Sequence, residues 1–274
     1  MVDKLVSVDW VAEHGSDPNV RLVEVDVDTE AYGEGHIAGA VGWNWTTQLQ
    51  DGVRRDIIAQ DALEALLSKS GIKNDTHVVL YGDNNNWFAA YALWLLELYG
   101  HENVSLMNGG RVKWLAGHRP MTAVLPAVTA STYQAKAADP ALRAKRDEVL
   151  AAVGGATKQL VDVRSPAEFS GEIIAPPGMS ETAQRAGHIP GAKNIPWARA
   201  VNEDGTFRSP DDLRALYTGA GVKDGAPTIA YCRIGERSSH TWFVLKHLLG
   251  FPDVKNYDGS WTEWGSMVDV PIER

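Results

Sequence analysis

Residues 228 to 243 read Thr-Ile-Ala-Tyr-Cys-Arg-Ile-Gly-Glu-Arg-Ser-Ser-His-Thr-Trp-Phe. A short apolar run, Thr228 to Tyr231, ends at a cysteine. A hexad bearing a glycine and two arginines follows, Cys232 to Arg237, and an apolar helical pattern continues through Leu249. A strand, a tight loop and a helix start place one sulfur where backbone N–H groups converge. Such a nest favours an anion, whether a bound oxyanion or the thiolate itself, whose pKa it lowers. Cys232 is the only cysteine in 274 residues. A lone cysteine is more often a small buried apolar side chain than a nucleophile. The flanks favour chemistry here: Arg233 and Arg237 cannot easily be buried unpaired, and Gly235 permits a loop conformation that other residues resist.

Working outward, the chain repeats itself. Leu22-Val23-Glu24-Val25-Asp26 echoes Leu160-Val161-Asp162-Val163-Arg164, and Gly35-His36-Ile37-Ala38-Gly39-Ala40 echoes Gly187-His188-Ile189-Pro190-Gly191-Ala192. At one constant offset Tyr81 matches Tyr231, Gly100 matches Gly250, Gly109 matches Gly259 and Trp114 matches Trp264. A repeat this long is a duplicated domain. The first is expected over 1–125 and the second over 140–274, joined by a linker at 126–139. In the second half strands are expected near 160–163, 192–195, 228–231 and 254–257. Helices are expected over 143–153 and after Ser209-Pro210, with serine as cap. Apolar strands alternating with helices predict an α/β fold, mainly parallel sheets covered on both faces. Ligands bind at the carboxyl ends of such strands, where Cys232 lies. The matching position in the first half is Gly82, followed by Asp-Asn-Asn-Asn-Trp, so that half keeps the scaffold without nucleophile or loop arginines.

The formal charge of -9 argues against general nucleic-acid or anionic-membrane binding, yet allows a small anion in a local arginine cluster. One cysteine permits no internal disulfide, and residues 1–10 show no basic start followed by an apolar stretch; a cytoplasmic location is expected. No apolar run approaches the ~20 residues that span a bilayer. Eight scattered histidines show no metal-ligand spacing, so no metal is expected.

With the repeat, the Gly-His-Ile-Pro-Gly-Ala segment, the cysteine hexad and the ending Tyr257-Asp258-Gly259-Ser260-Trp261-Thr262-Glu263-Trp264, the chain resembles tandem-domain rhodaneses. These are the thiosulfate and 3-mercaptopyruvate sulfurtransferases. The resemblance implies two rhodanese-like domains, the first inactive and the second carrying Cys232, with sulfur passed through a cysteine persulfide. Thiosulfate enzymes often carry Cys-Arg-Lys-Gly-Val-Thr in the loop, and mercaptopyruvate enzymes Cys-Gly-(Ser or Thr)-Gly-Val-Thr. Here Arg233 resembles the thiosulfate branch, Ile234 departs from its lysine, Arg237 replaces threonine and Glu236 is an added negative charge.

The expected reaction has the Cys232 thiolate attack the outer sulfur of thiosulfate, then pass that sulfur to cyanide, a thiol or an acceptor protein. The family places a substrate-binding arginine just before the Gly-His-Ile segment, and Arg185 matches; with Arg233 and Arg237 it suits a doubly charged anion. Cys232 is the expected catalytic residue and Ile234, Gly235 and Glu236 complete the loop. His36 and His188 recur in both halves and are expected to satisfy backbone carbonyls. The segment 165–186 reads as a surface loop near the substrate entrance, and Arg54-Arg55 as a solvated turn. Alternatives are a 3-mercaptopyruvate sulfurtransferase, a cysteine phosphatase or arsenate reductase, and a binding module. The phosphatase loop form Cys-x5-Arg fits poorly, because arginine follows after four residues, at Arg237.

Overall fold

The computed structural model describes residues 2–155, 157–179 and 181–274. Ser180, inside the surface loop expected at 165–186, lies outside the described residues. The chain divides into two compact units. One reaches to Asp139 and includes Glu203–Thr206; the other comprises Pro140–Asn202 and Phe207–Arg274.

The first unit contains β1 (Leu5–Val6), α1 (Val8–His14), β2 (Val20–Asp26), α2 (Glu30–Glu34), β3 (Val41–Asn44), α3 (Trp45–Gln48), β4 (Gln50–Asp51), β5 (Asp56–Ile57), α4 (Gln60–Lys69), β6 (His77–Tyr81), α5 (Trp87–Leu98), β7 (Val104–Met107) and α6 (Gly110–Ala116). Its main sheet has the order β1-β7-β6-β2-β3, parallel throughout. The central strand β6 is buried in every residue but His77, as expected where helices cover both faces. Residues 131–139 run along this unit: Ser131 N–H bonds the Ser68 carbonyl, Lys136 N–H that of Tyr99 and Asp139 N–H that of Leu98.

The second unit contains α7 (Arg146–Ala151), β8 (Gln159–Asp162), α8 (Pro166–Ser170), β9 (Lys193–Asn194), α9 (Pro210–Gly219), β10 (Thr228–Tyr231), α10 (Glu236–Phe243), β11 (Val254–Tyr257) and α11 (Ser260–Trp264). Its parallel sheet has the order β11-β10-β8-β9, the same order as β7-β6-β2-β3. The Ser209 hydroxyl caps α9 by accepting the Asp212 N–H, with Pro210 at the first turn. Part of the expected surface loop is helix: Ser165 and Glu168 form a capping box that starts α8.

The duplicated residues do duplicated work. The Tyr81 hydroxyl accepts the Ile37 N–H at 3.0 Å, and the Tyr231 hydroxyl accepts that of Ile189 at 3.2 Å. His36 Nδ1 sits 2.9 Å from the Tyr32 carbonyl, and His188 Nδ1 2.8 Å from that of Phe169. Trp114 Nε1–H donates to the Pro120 carbonyl and Trp264 Nε1–H to that of Pro271, both from buried rings. These bonds tie each Gly-His-Ile segment to its central strand and satisfy polar groups that burial would otherwise leave unpaired.

Candidate active site

Strand β10 delivers Cys232 to the carboxyl edge of the second sheet, and α10 begins four residues later. Gly235 makes the turn possible. Its φ is +103°, and a Cβ there would lie 2.9 Å from Asp258 Cα and Cβ. Any side chain would meet both backbone strain and a clash.

Cys232 has no exposed surface. Its sulfur accepts the Gly235 N–H at 3.1 Å and lies 3.6 Å from Ser238 Oγ and 3.9 Å from Ser260 Oγ. Its thiol faces Glu236 Oε2 at 3.4 Å. The loop does aim donors at the sulfur, but the expected lowering of the thiol pKa is not the outcome. Burial, then the Glu236 carboxylate, push the thiol above its ordinary value, against the pull of Arg237 and Ser238. The resting sulfur is therefore a thiol that donates to Glu236.

The arginines are differently placed from the expected anion clamp. Arg237 is buried and its fork is spent on Glu168, with two hydrogen bonds of 3.1 Å. Burial raises the Glu168 carboxyl, but Arg237 and Ser165 together outweigh it and hold the group below its ordinary value. Arg185 donates to the carbonyls of Gly265 and Met267, bracing the segment after α11. Arg233 donates to the Glu181 carbonyl and stands 4.0 Å from Glu236 Oε1. Arg185 and Arg233 thus bond neutral carbonyls whereas Arg237 bonds a carboxylate, and of the first two Arg233 is the one in the Cys232 loop itself. Ile234 is buried beside them.

Further residues shape the loop without having been singled out in the sequence. All eight residues of α10 are buried although six are polar or charged. Asn256 on β11 serves two of the six: its Nδ2 donates to Ser239 Oγ at 2.9 Å and to the Gly235 carbonyl at 3.3 Å, and its Oδ1 accepts from Ser238 Oγ at 2.6 Å. Ser260, at φ +52°, takes the Cys232 N–H on its Oγ at 3.0 Å and donates to the Tyr257 carbonyl at 2.7 Å. Glu168 had a sequence signal, the Ser165-x-x-Glu168 capping box before an apolar residue. Asp162 and Arg164 form a fully buried pair at 2.5 Å, an internal brace at the end of β8. His240 packs against Phe207 at 4.6 Å between ring centres, and burial pushes it down to about 3, so it is a neutral packing group. Arg54 is an exposed side chain paired with Asp51 and Asp56.

Within the first unit the matching strand end is closed. A Cβ on Gly82 would lie 2.3 Å from the Val25 carbonyl oxygen. The Gly82 N–H is bonded at 3.0 Å by Asn86 Oδ1, whose Nδ2 donates to the Met107 carbonyl at 2.8 Å. Asn86 thus bridges the two backbone groups that Ser260 bridges in the second unit. Among the described residues no cluster of three or more His, Cys, Asp or Glu could hold a metal ion, and no helix is long and apolar enough to cross a membrane.

A family model described as rhodanese-like domain matches residues 7–117 and again 145–267. A Haloferax volcanii protein named "Putative thiosulfate sulfurtransferase" is 57% identical over 99% of this chain and 96% of its own length. The sulfur carrier protein TtuD of Thermus thermophilus is 54% identical over 98% and 96%. Among solved structures, SseA from Escherichia coli, described as a 3-mercaptopyruvate sulfotransferase, superposes with a TM-score of 0.79 at 28% identity, covering 95% of this chain and 99% of its own.

Proposed function

The chain belongs to the rhodanese family through both of its halves, and on that premise we propose that it is a thiosulfate sulfurtransferase working through Cys232. The observation that carries this reading is the Gly235 N–H on the Cys232 sulfur, at a strand end where the other unit has Gly82. The thiolate attacks the outer sulfur of thiosulfate, sulfite leaves, and the persulfide gives its sulfur to cyanide or a thiol. Loop N–H donors stabilise the charged sulfur. Arg233 is assigned to the donor's sulfonate end, which replaces the Glu181 carbonyl on its guanidinium. Arg237 and Arg185 hold the loop and its surroundings in place. Because the sulfur is fully buried, donor entry requires movement of the side chains that cover it.

The sulfur-carrier name of one relative supports a protein as the acceptor, and the single cysteine suits the reducing cytoplasm. We assign catalysis to the second rhodanese domain and a scaffold role to the first. The likeness to a mercaptopyruvate enzyme favours one second reading, with 3-mercaptopyruvate as donor.

The test is thiocyanate formation from cyanide with thiosulfate or 3-mercaptopyruvate as donor, in wild type and Cys232→Ser. Thiosulfate turnover lost in the variant supports the reading. Preference for mercaptopyruvate transfers it to the second donor, and turnover that survives Cys232→Ser overturns it.

A further inference from the structure

We propose that Glu236 is a catalytic proton carrier, taking the Cys232 thiol proton, delivering it to the departing sulfite, and later taking a proton from an acceptor thiol. This rests on the sulfurtransferase reading and deepens it.

Glu236 is buried, and its two oxygens have different neighbours. Oε1 faces Arg237 Nε at 3.6 Å and Arg233 at 4.0 Å. Oε2 faces the Cys232 sulfur at 3.4 Å. One oxygen is anchored by cations while the other meets the reacting atom. The turn at Gly235 fixes this geometry, since Glu236 is the first residue of α10. Other charged groups near the loop are committed elsewhere: Glu168 of α8 to Arg237, and Asp258 after β11 to Arg143 at 2.8 Å. His240, one turn along α10, is buried. Cys232 and Glu236 are thus the pair between which a proton can move. In the first unit the matching residue is Asn86, an amide that cannot take up that proton.

Charge gives the step a reason. A thiolate and an ionised carboxylate together would oppose a doubly charged donor. Transfer of the thiol proton to Oε2 creates the nucleophile and neutralises the carboxylate at once. The balance is Cys232–SH plus thiosulfate dianion giving Cys232–S–S⁻ plus HSO3⁻. The donor S–S bond breaks, a new S–S bond forms at Cys232, and the proton passes through Glu236 to sulfite. With a thiol acceptor, RSH plus Cys232–S–S⁻ gives RSS⁻ plus Cys232–SH, again one proton through Glu236. Ionised cyanide carries no proton: Cys232–S–S⁻ plus CN⁻ gives Cys232–S⁻ plus SCN⁻.

The experiment separates the half-reactions. Wild type and Glu236→Gln are charged with thiosulfate, freed of donor, and discharged in single turnovers to dithiothreitol or to cyanide counted as its ionised form. Charging and dithiothreitol discharge are expected to slow by about 100-fold in the variant, the usual scale of general acid–base catalysis, with cyanide discharge close to wild type. Dithiothreitol discharge in the variant should follow the ionised thiol fraction as pH rises, with wild type less steep. Equal slowing with both acceptors, or none, overturns the inference. Should Glu236→Gln fail to fold, Glu236→Asp, which withdraws the carboxyl from the sulfur by one methylene, is judged by the same acceptor split. A wild type that gains no sulfur mass on Cys232 overturns the sulfurtransferase reading itself; a charged wild type with an acceptor-blind variant overturns only the role of Glu236.

Discussion

Glu168 holds Arg237 through two hydrogen bonds of 3.1 Å, and both side chains are buried. Removing Glu168 strips buried Arg237 of both short hydrogen bonds and leaves it to the more distant Glu236 carboxylate at 3.6 Å. Glu168→Ala is expected to cost about 3–5 kcal/mol, measured by urea unfolding, and Glu168→Gln less because it keeps an acceptor. The Glu168 carboxyl is held below its ordinary 4.5. Its contribution is therefore present above that pH and lost as pH falls through the lower folded value. Stability of Glu168→Gln should fall less than wild type over the same acid range.

Asp26 behaves in the opposite sense. In the second unit the matching position is Arg164, which neutralises Asp162; in the first, Asp26 stands beside Glu24, and Arg111 pairs with Glu24. Burial first, then the Asp83 charge, push Asp26 from 3.8 up to about 9. Stability is then fully present below 3.8 and lost as pH rises toward 9. Asp26→Asn keeps the acceptor for the Asp83 N–H and should raise the melting temperature at pH 8. The gain should vanish near pH 4 in a melting series.

Gly82→Ala should destabilise the protein by roughly 1–3 kcal/mol through overpacking against the Val25 carbonyl. The double variant Gly82→Cys, Cys232→Ser should remain inactive in the thiocyanate assay, since the strand end has no room for the sulfur.

Ser260 combines a left-handed backbone with the bond that caps the Cys232 N–H. Ser260→Ala keeps the strain and loses the acceptor, and should cost about 1–3 kcal/mol in chemical denaturation. Ser260→Gly loses the same bond but relieves the backbone, so its loss should be smaller.

Much of this architecture was legible in the chain. The strands expected at 160–163, 228–231 and 254–257 lie on or within one residue of β8, β10 and β11; central β10 is buried in every residue, whereas β11, at a sheet edge, carries Lys255 and Asn256. The expected strand at 192–195 is only Lys193–Asn194, at a sheet edge where pairing comes from one side. The site was less legible. Cys232 and Gly235 announce themselves through local chemistry, whereas Glu168 reaches Arg237 and Asn256 reaches α10 across folds of chain that no spacing reveals. The thiol pKa went the other way from expectation because desolvation by the whole unit outweighs the donors of one loop. Arg185 and Arg237, expected to hold the anionic donor, instead bond the Gly265 and Met267 carbonyls and Glu168, since sequence shows a charge but not its partner.

The Asn86 bridge in the first unit has an evolutionary reading. A Cβ on Gly110, the position matching Ser260, would strike Asn86 Oδ1 at 2.3 Å. Serine cannot enter there while Asn86 remains, and losing Asn86 first strands the buried Gly82 amide. A thiol at position 82 meets its own obstruction from Val25. Each of these single substitutions toward the arrangement of the second unit meets a clash or strands a buried amide. Sequence change in the first unit is thus channelled away from a sulfur at position 82 by packing as much as by the glycine that stands there.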